Sequence, residues 1–145
     1  MSWLYVVVAL LGGAALAVQA PVNAALARGA QSVLWAAAVS YAVGLGSVVA
    51  LALAARTPWP ATIWTVPWWA WTGGLFGAVY VVTAIIAVPR LGAAALVAVV
   101  ITSQLVATLL LDHFGLFGLP ERPINLWRLL GTAFLVSGVL MIRNF

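Results

Sequence analysis

Residues 92–111 read GAAALVAVVITSQLVATLLL, twenty positions with no charged side chain. As a helix rising about 1.5 Å per residue, this run is about 30 Å long, which matches the hydrocarbon thickness of a bilayer. It reads as a membrane span. Working outward, the same apolar density returns over residues 3–26, 33–55, 69–88 and 126–142, giving five expected transmembrane helices. Pro58, Pro60 and Pro67 separate the second from the third. Gly115, Gly118, Pro120 and Pro123 separate the fourth from the fifth, because Pro and Gly at that density stop helices. The other connections are short and nothing resembles a soluble domain, so residues 1–145 are expected to form a single all-α transmembrane domain.

Composition supports the same class. The chain is 66% hydrophobic and 6% charged, with a mean hydropathy of +1.20, whereas soluble globular proteins carry about 25% charged residues. A soluble domain of this length could not cover so much apolar surface. The net charge is +4, but the cations are six scattered Arg with no Lys, and a phosphate-binding surface needs them clustered. A nucleic-acid partner is therefore not expected, and Arg at helix ends would instead meet lipid head groups. With no Cys, and His113 as the only imidazole, neither a disulfide framework nor a metal centre is expected, and no cofactor is implied. The opening Met-Ser-Trp lacks the positive stretch of a cleaved signal peptide, so the first span is read as retained.

Five spans would put the termini on opposite sides. Arg56, Arg122 and Arg128 then share the N-terminal side, while Arg28, Arg90 and Arg143 share the other, three against three. Orientation follows an excess of Lys and Arg on one side, and here there is none. Such a chain is expected to insert both ways up and to pair as an antiparallel homodimer, which has inverted-repeat symmetry. Trp3, Trp59, Trp64, Trp68, Trp69, Trp71 and Trp127 lie on the N-terminal side and Trp35 on the other. Antiparallel pairing would give both interfaces an aromatic belt.

Polar side chains inside a bilayer are costly unless they find partners or line a wet cavity, so they are the candidates for function. Gln19 and Asn23, four apart in the first helix, flank Pro21, which removes a backbone donor. They read either as the broken stretch of a binding site or as interhelical glue. Ser40 and Tyr41 with Gly44 and Ser47 in the second helix, and Tyr80 with Thr83 in the third, either face a cavity or bond within their own helices. Ser103 and Gln104 lie mid-span in the fourth helix. There the Gln104 amide offers donors and an acceptor without placing a net charge in lipid. Asp112 and His113 follow near the interface, as possible proton-coupling groups or as the point where the helix meets water. No span carries a central carboxylate, which favours a neutral or anionic substrate over a cation. Gly12, Gly13, Gly73, Gly77, Gly131 and Gly138 permit close helix packing, the last two as a seam between subunits or within the fold.

Several of these residues fall in a familiar order. They are Gln19 to Asn23, Ser40-Tyr41 with Gly44, Trp71-Thr72-Gly73-Gly74 with Gly77 and Tyr80, Pro89 with Leu91-Gly92, Ser103-Gln104, and Asp112-His113-Phe114-Gly115. Together, over nearly the whole chain, they resemble the YdcZ-like membrane proteins of the drug/metabolite transporter superfamily. The resemblance implies a five-helix half-transporter of the bacterial inner (plasma) membrane, related to ten-helix members whose halves are inverted repeats. It also implies kinship to small multidrug exporters that use a Glu in the first helix. This chain has no acidic residue there, and Gln19 cannot bind and release a proton.

The resulting expectation is a small-molecule transporter, a dual-topology homodimer working by alternating access. Its midplane site would be lined by Gln19, Asn23, Ser40, Tyr41, Tyr80, Ser103 and Gln104. A lipid or amphiphile flippase and a non-transporting membrane scaffold are the alternatives. Enzyme activity is not expected, because no nucleophile-base pair or metal cluster lies within the spans.

Overall fold

The computed structural model describes residues 3–144, with side chains as far as Ile142. Met1 and Ser2, on which the reading of the N-terminus rests, and the Arg143 side chain used in the orientation count lie outside what is described. The described chain is helical: α1 (Trp3–Ala30), α2 (Val33–Ala54), α3 (Gly73–Leu91), α4 (Ala93–His113) and α5 (Leu126–Asn144), with three short 3₁₀ turns between them. Four stretches, Trp3–Ala30, Val33–Ala54, Trp68–Leu91 and Ala93–His113, are long and apolar enough to cross a membrane. The fifth apolar helix, Leu126–Ile142, is shorter.

The helix ends follow local chemistry. α1 runs through Pro21 and four residues past the expected end at 26, because proline deprives only the Ala17 carbonyl of its donor and the i+4 ladder resumes beyond it. The turn to α2 is then only Gln31 and Ser32. Gln31 takes a positive φ of 51°, and the Ser32 hydroxyl accepts a hydrogen bond from the Trp35 N–H at 3.3 Å, capping α2. At the far end of α2, Arg56 adopts φ 51°, which lets the Thr57 N–H reach back to the Ala52 carbonyl at 2.9 Å. Pro60 and Pro67 each open a 3₁₀ turn, Ala61–Thr65 and Trp68–Thr72, and across these turns Trp64 and Trp71 stack with ring centroids 5.7 Å apart. The second turn feeds directly into α3, so the expected start at 69 falls in 3₁₀ geometry. α3 passes Pro89 and stops at Gly92, whose φ of 80° favours glycine.

The contacts divide the chain into two compact units, one ending at Arg90 and the other beginning at Leu91. In the first, Ala27 of α1, Ala36 and Ala37 of α2, and Val81 and Ile85 of α3 form a buried cluster with Val33, Tyr80 and Val82 against it. Three alanines at this junction let the helix backbones approach closely. In the second unit α4 packs on α5. Elsewhere the helices turn Leu, Val, Phe and Trp outward, Leu51, Leu53 and Phe76 among them. Such a surface suits lipid.

Candidate functional site

The first unit contains a cleft of about 560 Å³ lined by Leu16 and Gln19 of α1, Ser40, Tyr41, Gly44, Leu45 and Val48 of α2, and Gly77, Tyr80 and Val81 of α3. Gln19, Gly44 and Tyr80 each lie within about a turn of the midpoint of their span, so the cleft sits at mid-depth. Its register depends on one glycine. At Gly77 a Cβ would come within 2.5 Å of the Tyr41 hydroxyl oxygen, so glycine at 77 is what allows Tyr41 to lie across α3. No charged side chain lines the cleft.

Four of its residues, Gln19, Ser40, Tyr41 and Tyr80, offer polar side-chain atoms that make no hydrogen bond to other described residues. Several other hydroxyls of the described chain behave differently, although Thr83, which is exposed and outside the cleft lining, also makes no side-chain hydrogen bond to described residues. Ser47 donates to the Val43 carbonyl at 2.8 Å, Thr102 to Ala98 at 3.0 Å, Ser103 to Val100 at 2.9 Å and Ser137 to Ala133 at 2.9 Å. These satisfy themselves on their own helix, as mid-helix Ser and Thr commonly do. Ser40, half-buried, does not. The cleft thus presents one amide and three hydroxyls, donors and acceptors of both kinds, set between apolar walls. It can orient a polar group of a small molecule while Leu16, Leu45, Val48 and Val81 hold its apolar part.

Of the other residues expected from sequence, Asn23 is buried one turn beyond Gln19 and is not among the cleft residues. Ser103 and Gln104 lie on α4 in the second unit, where Ser103 is engaged with its own helix and Gln104 is exposed. Asp112 and His113 are tied into the α4–α5 connection. The Arg128 guanidinium donates to the Asp112 carboxylate at 2.5 Å and to the Arg122 carbonyl at 2.9 Å. The Arg122 N–H donates to the Asp112 carbonyl at 2.8 Å. The Ile124 N–H donates to His113 Nδ1 at 3.2 Å, which requires that nitrogen to be unprotonated. Asn125 accepts from the Arg128 N–H at 2.9 Å, capping α5. Asp112, Arg128 and His113 therefore hold a turn that Gly115, at φ 59°, allows to fold back.

Sequence reasoning did not single out the apolar walls of the cleft. Leu16, Leu45 and Val48 carry no local signal separating them from residues that face lipid. Gly77 was noticed only as a packing glycine, and Gly44 as a small residue in a set that faces a cavity or bonds within its own helix. Their part in the cleft depends on how α2 and α3 register, which no periodicity within either helix encodes.

A family model described as "Putative inner membrane exporter, YdcZ" matches residues 4–141. Among curated proteins, the "Inner membrane protein YdcZ" of Escherichia coli (strain K12) is 34% identical over 80 residues, covering 55% of this chain and 53% of that protein. The match thus spans about half the length of that relative. No solved structure matches the chain. The apolar spans and these likenesses make it an integral protein of the inner membrane.

Proposed function

The chain belongs to the YdcZ family, and from that premise we propose that it is a small-molecule transporter whose substrate, neutral or anionic rather than cationic, is held in the α1–α3 cleft. The observation that carries this reading is the set of unpartnered polar groups on Gln19, Ser40, Tyr41 and Tyr80 at mid-depth, in a cleft without a carboxylate. Groups of that kind are costly inside a bilayer unless something hydrogen-bonds them. A cation would need a counter-charge that the lining lacks. The volume falls within the roughly 300–1,000 Å³ typical of small-molecule sites.

In this proposal two copies pair antiparallel and alternate access by exchanging conformations. The balance of three Arg on each side supports insertion in both orientations. The Gln104 side-chain amide, exposed and without a hydrogen bond to described residues on a span of 21 residues, supports a second copy covering that face, since an amide open to lipid is unfavourable. A Cβ added at Gly131 or Gly138 would meet nothing outside its own helix backbone within 4 Å, which leaves the face of α5 that carries them open to the same partner.

The test is exchange. Proteoliposomes loaded with a mixed pool of neutral, anionic and cationic metabolites are diluted and the retained compounds read by mass spectrometry. Transport predicts that some neutral or anionic compounds leave faster than from protein-free vesicles, and that Gln19→Leu abolishes most of the difference. Exchange of cations alone, or rates equal to those of empty vesicles, overturns the proposal.

A further inference from the structure

A second groove lies in the first unit, at the end away from the Trp-rich connection. It has a volume of about 330 Å³ and is lined by Ala24, Ala27 and Arg28 of α1, Val33 of α2, and Ile85, Ile86, Pro89 and Arg90 of α3. Its floor is apolar and partly made of core residues: Ala24, Ala27 and Ile85 are buried. Both arginines are exposed. They fall in the last turns of α1 and α3, so the groove opens where two apolar spans end.

No acid within this unit can neutralise these cations. The chain has two acidic residues, Asp112 and Glu121, both beyond Arg90 and so in the other unit. Asp112 is already paired with Arg128. The guanidinium groups of Arg28 and Arg90 make no hydrogen bond or ion pair with described residues. Arg128 shows what an engaged guanidinium looks like in this chain, with a carboxylate and a carbonyl in reach. Pro89, at the lip, has no N–H to offer an anion, which leaves the two guanidinium groups as the charge-bearing donors among the lining residues.

We propose that this groove binds an anionic phospholipid of the surrounding leaflet, its phosphodiester held by Arg28 and Arg90 and one acyl chain laid along Ala24, Ala27, Val33, Ile85 and Ile86. Guanidinium matches phosphate oxygens in fork geometry. The apolar floor would contribute nothing to a free soluble anion but buries methylenes of a lipid tail. The site is distinct from the central cleft, sharing no lining residue with it, and does not depend on the chain being a transporter.

The test uses full-length protein in detergent, titrated with phosphatidylglycerol or phosphatidylcholine and read by native mass spectrometry for retained lipid. Each cation near an anionic lipid is worth roughly a fivefold preference. Wild type is expected to retain phosphatidylglycerol preferentially. Arg28→Gln and Arg90→Gln should each cut that preference about fivefold, and Arg56→Gln, outside the groove, should leave it unchanged. Ile86→Trp, at an exposed groove residue, should reduce retention by filling the acyl track with the charges intact. Melting temperature without added lipid checks folding, and Arg28→Lys with Arg90→Lys supplies charge-conserving variants should either glutamine variant fold poorly. Equal losses from Arg56→Gln would mean diffuse attraction and overturn the site. So would displacement of the lipid by millimolar inorganic phosphate with Ile86→Trp silent, which would mark a free-anion site. A loss of melting temperature without change in lipid preference would mean that the arginines serve only the helix C-termini, and would overturn it as well.

Discussion

The α1–α3 unit and the α4–α5 unit are built from the same residue types but employ their polar groups differently. In α4–α5 the hydroxyls of Thr102, Ser103, Thr132 and Ser137 are spent on their own helices, and Asp112, His113 and Arg128 on closing a turn. In α1–α3 the polar groups of Gln19, Ser40, Tyr41 and Tyr80 surround a cleft with no such commitments. Polarity in a membrane span is therefore a sign of function only where the geometry has not already satisfied it. The same hydroxyl can be structural on α4 and available on α2.

The largest effect should come from Gln19. Gln19→Leu keeps the volume approximately but removes the amide from the cleft, and should slow exchange of a transported compound on the order of 10- to 100-fold, the worth of a buried hydrogen-bonding group. An unchanged rate would take the cleft out of the comparison. Next is Gly77→Ala, whose new Cβ would meet the Tyr41 hydroxyl at 2.5 Å. Overpacking of this kind costs about 1–3 kcal/mol, readable as a lower melting temperature in detergent. Adding Tyr41→Phe should recover most of it, because the next atom, Cζ, stands at an ordinary 3.7 Å. Failure of that rescue would show that Gly77 serves something other than Tyr41.

Asp112→Ala should cost about 1 kcal/mol of stability, since the pair it breaks is partly exposed, with both side chains at 28%. Transport per folded molecule should be kept. Transport abolished at full stability would restore Asp112 as a coupling group. The smallest contrast is between two serines. Ser40→Ala should lower exchange about threefold, whereas Ser103→Ala, removing a hydroxyl bonded to its own helix, should change little. Equal effects would erase the distinction between the units.

The spans were readable from sequence because twenty apolar residues in a row allow few other structures. The expected end of the first helix at 26 was early, since α1 runs through Pro21 and Arg28 to Ala30. Gln19, Ser40, Tyr41 and Tyr80 were legible as costly polar residues. What was hidden depends on three-dimensional register: that Tyr41 lies over Gly77, that Asn23 is buried outside the cleft lining, and that Arg128 reaches Asp112 across an irregular turn of no fixed period. Arg28 and Arg90 entered the sequence reading as counters for orientation. Their place on one groove depends on how α1 and α3 pack, which neither helix encodes alone.

Thiol reactivity tests the central claim most directly, since the chain contains no cysteine and a single one can be placed at will. Ser40→Cys and Ser103→Cys are compared in proteoliposomes treated from outside with a small, charged, membrane-impermeant reagent. If the α1–α3 cleft is a path that alternates its access, Ser40→Cys reacts to completion whichever way each copy is inserted, while Ser103→Cys stays largely unmodified. A Ser40→Cys that does not react, or one that reacts no further than Ser103→Cys, would contradict the account.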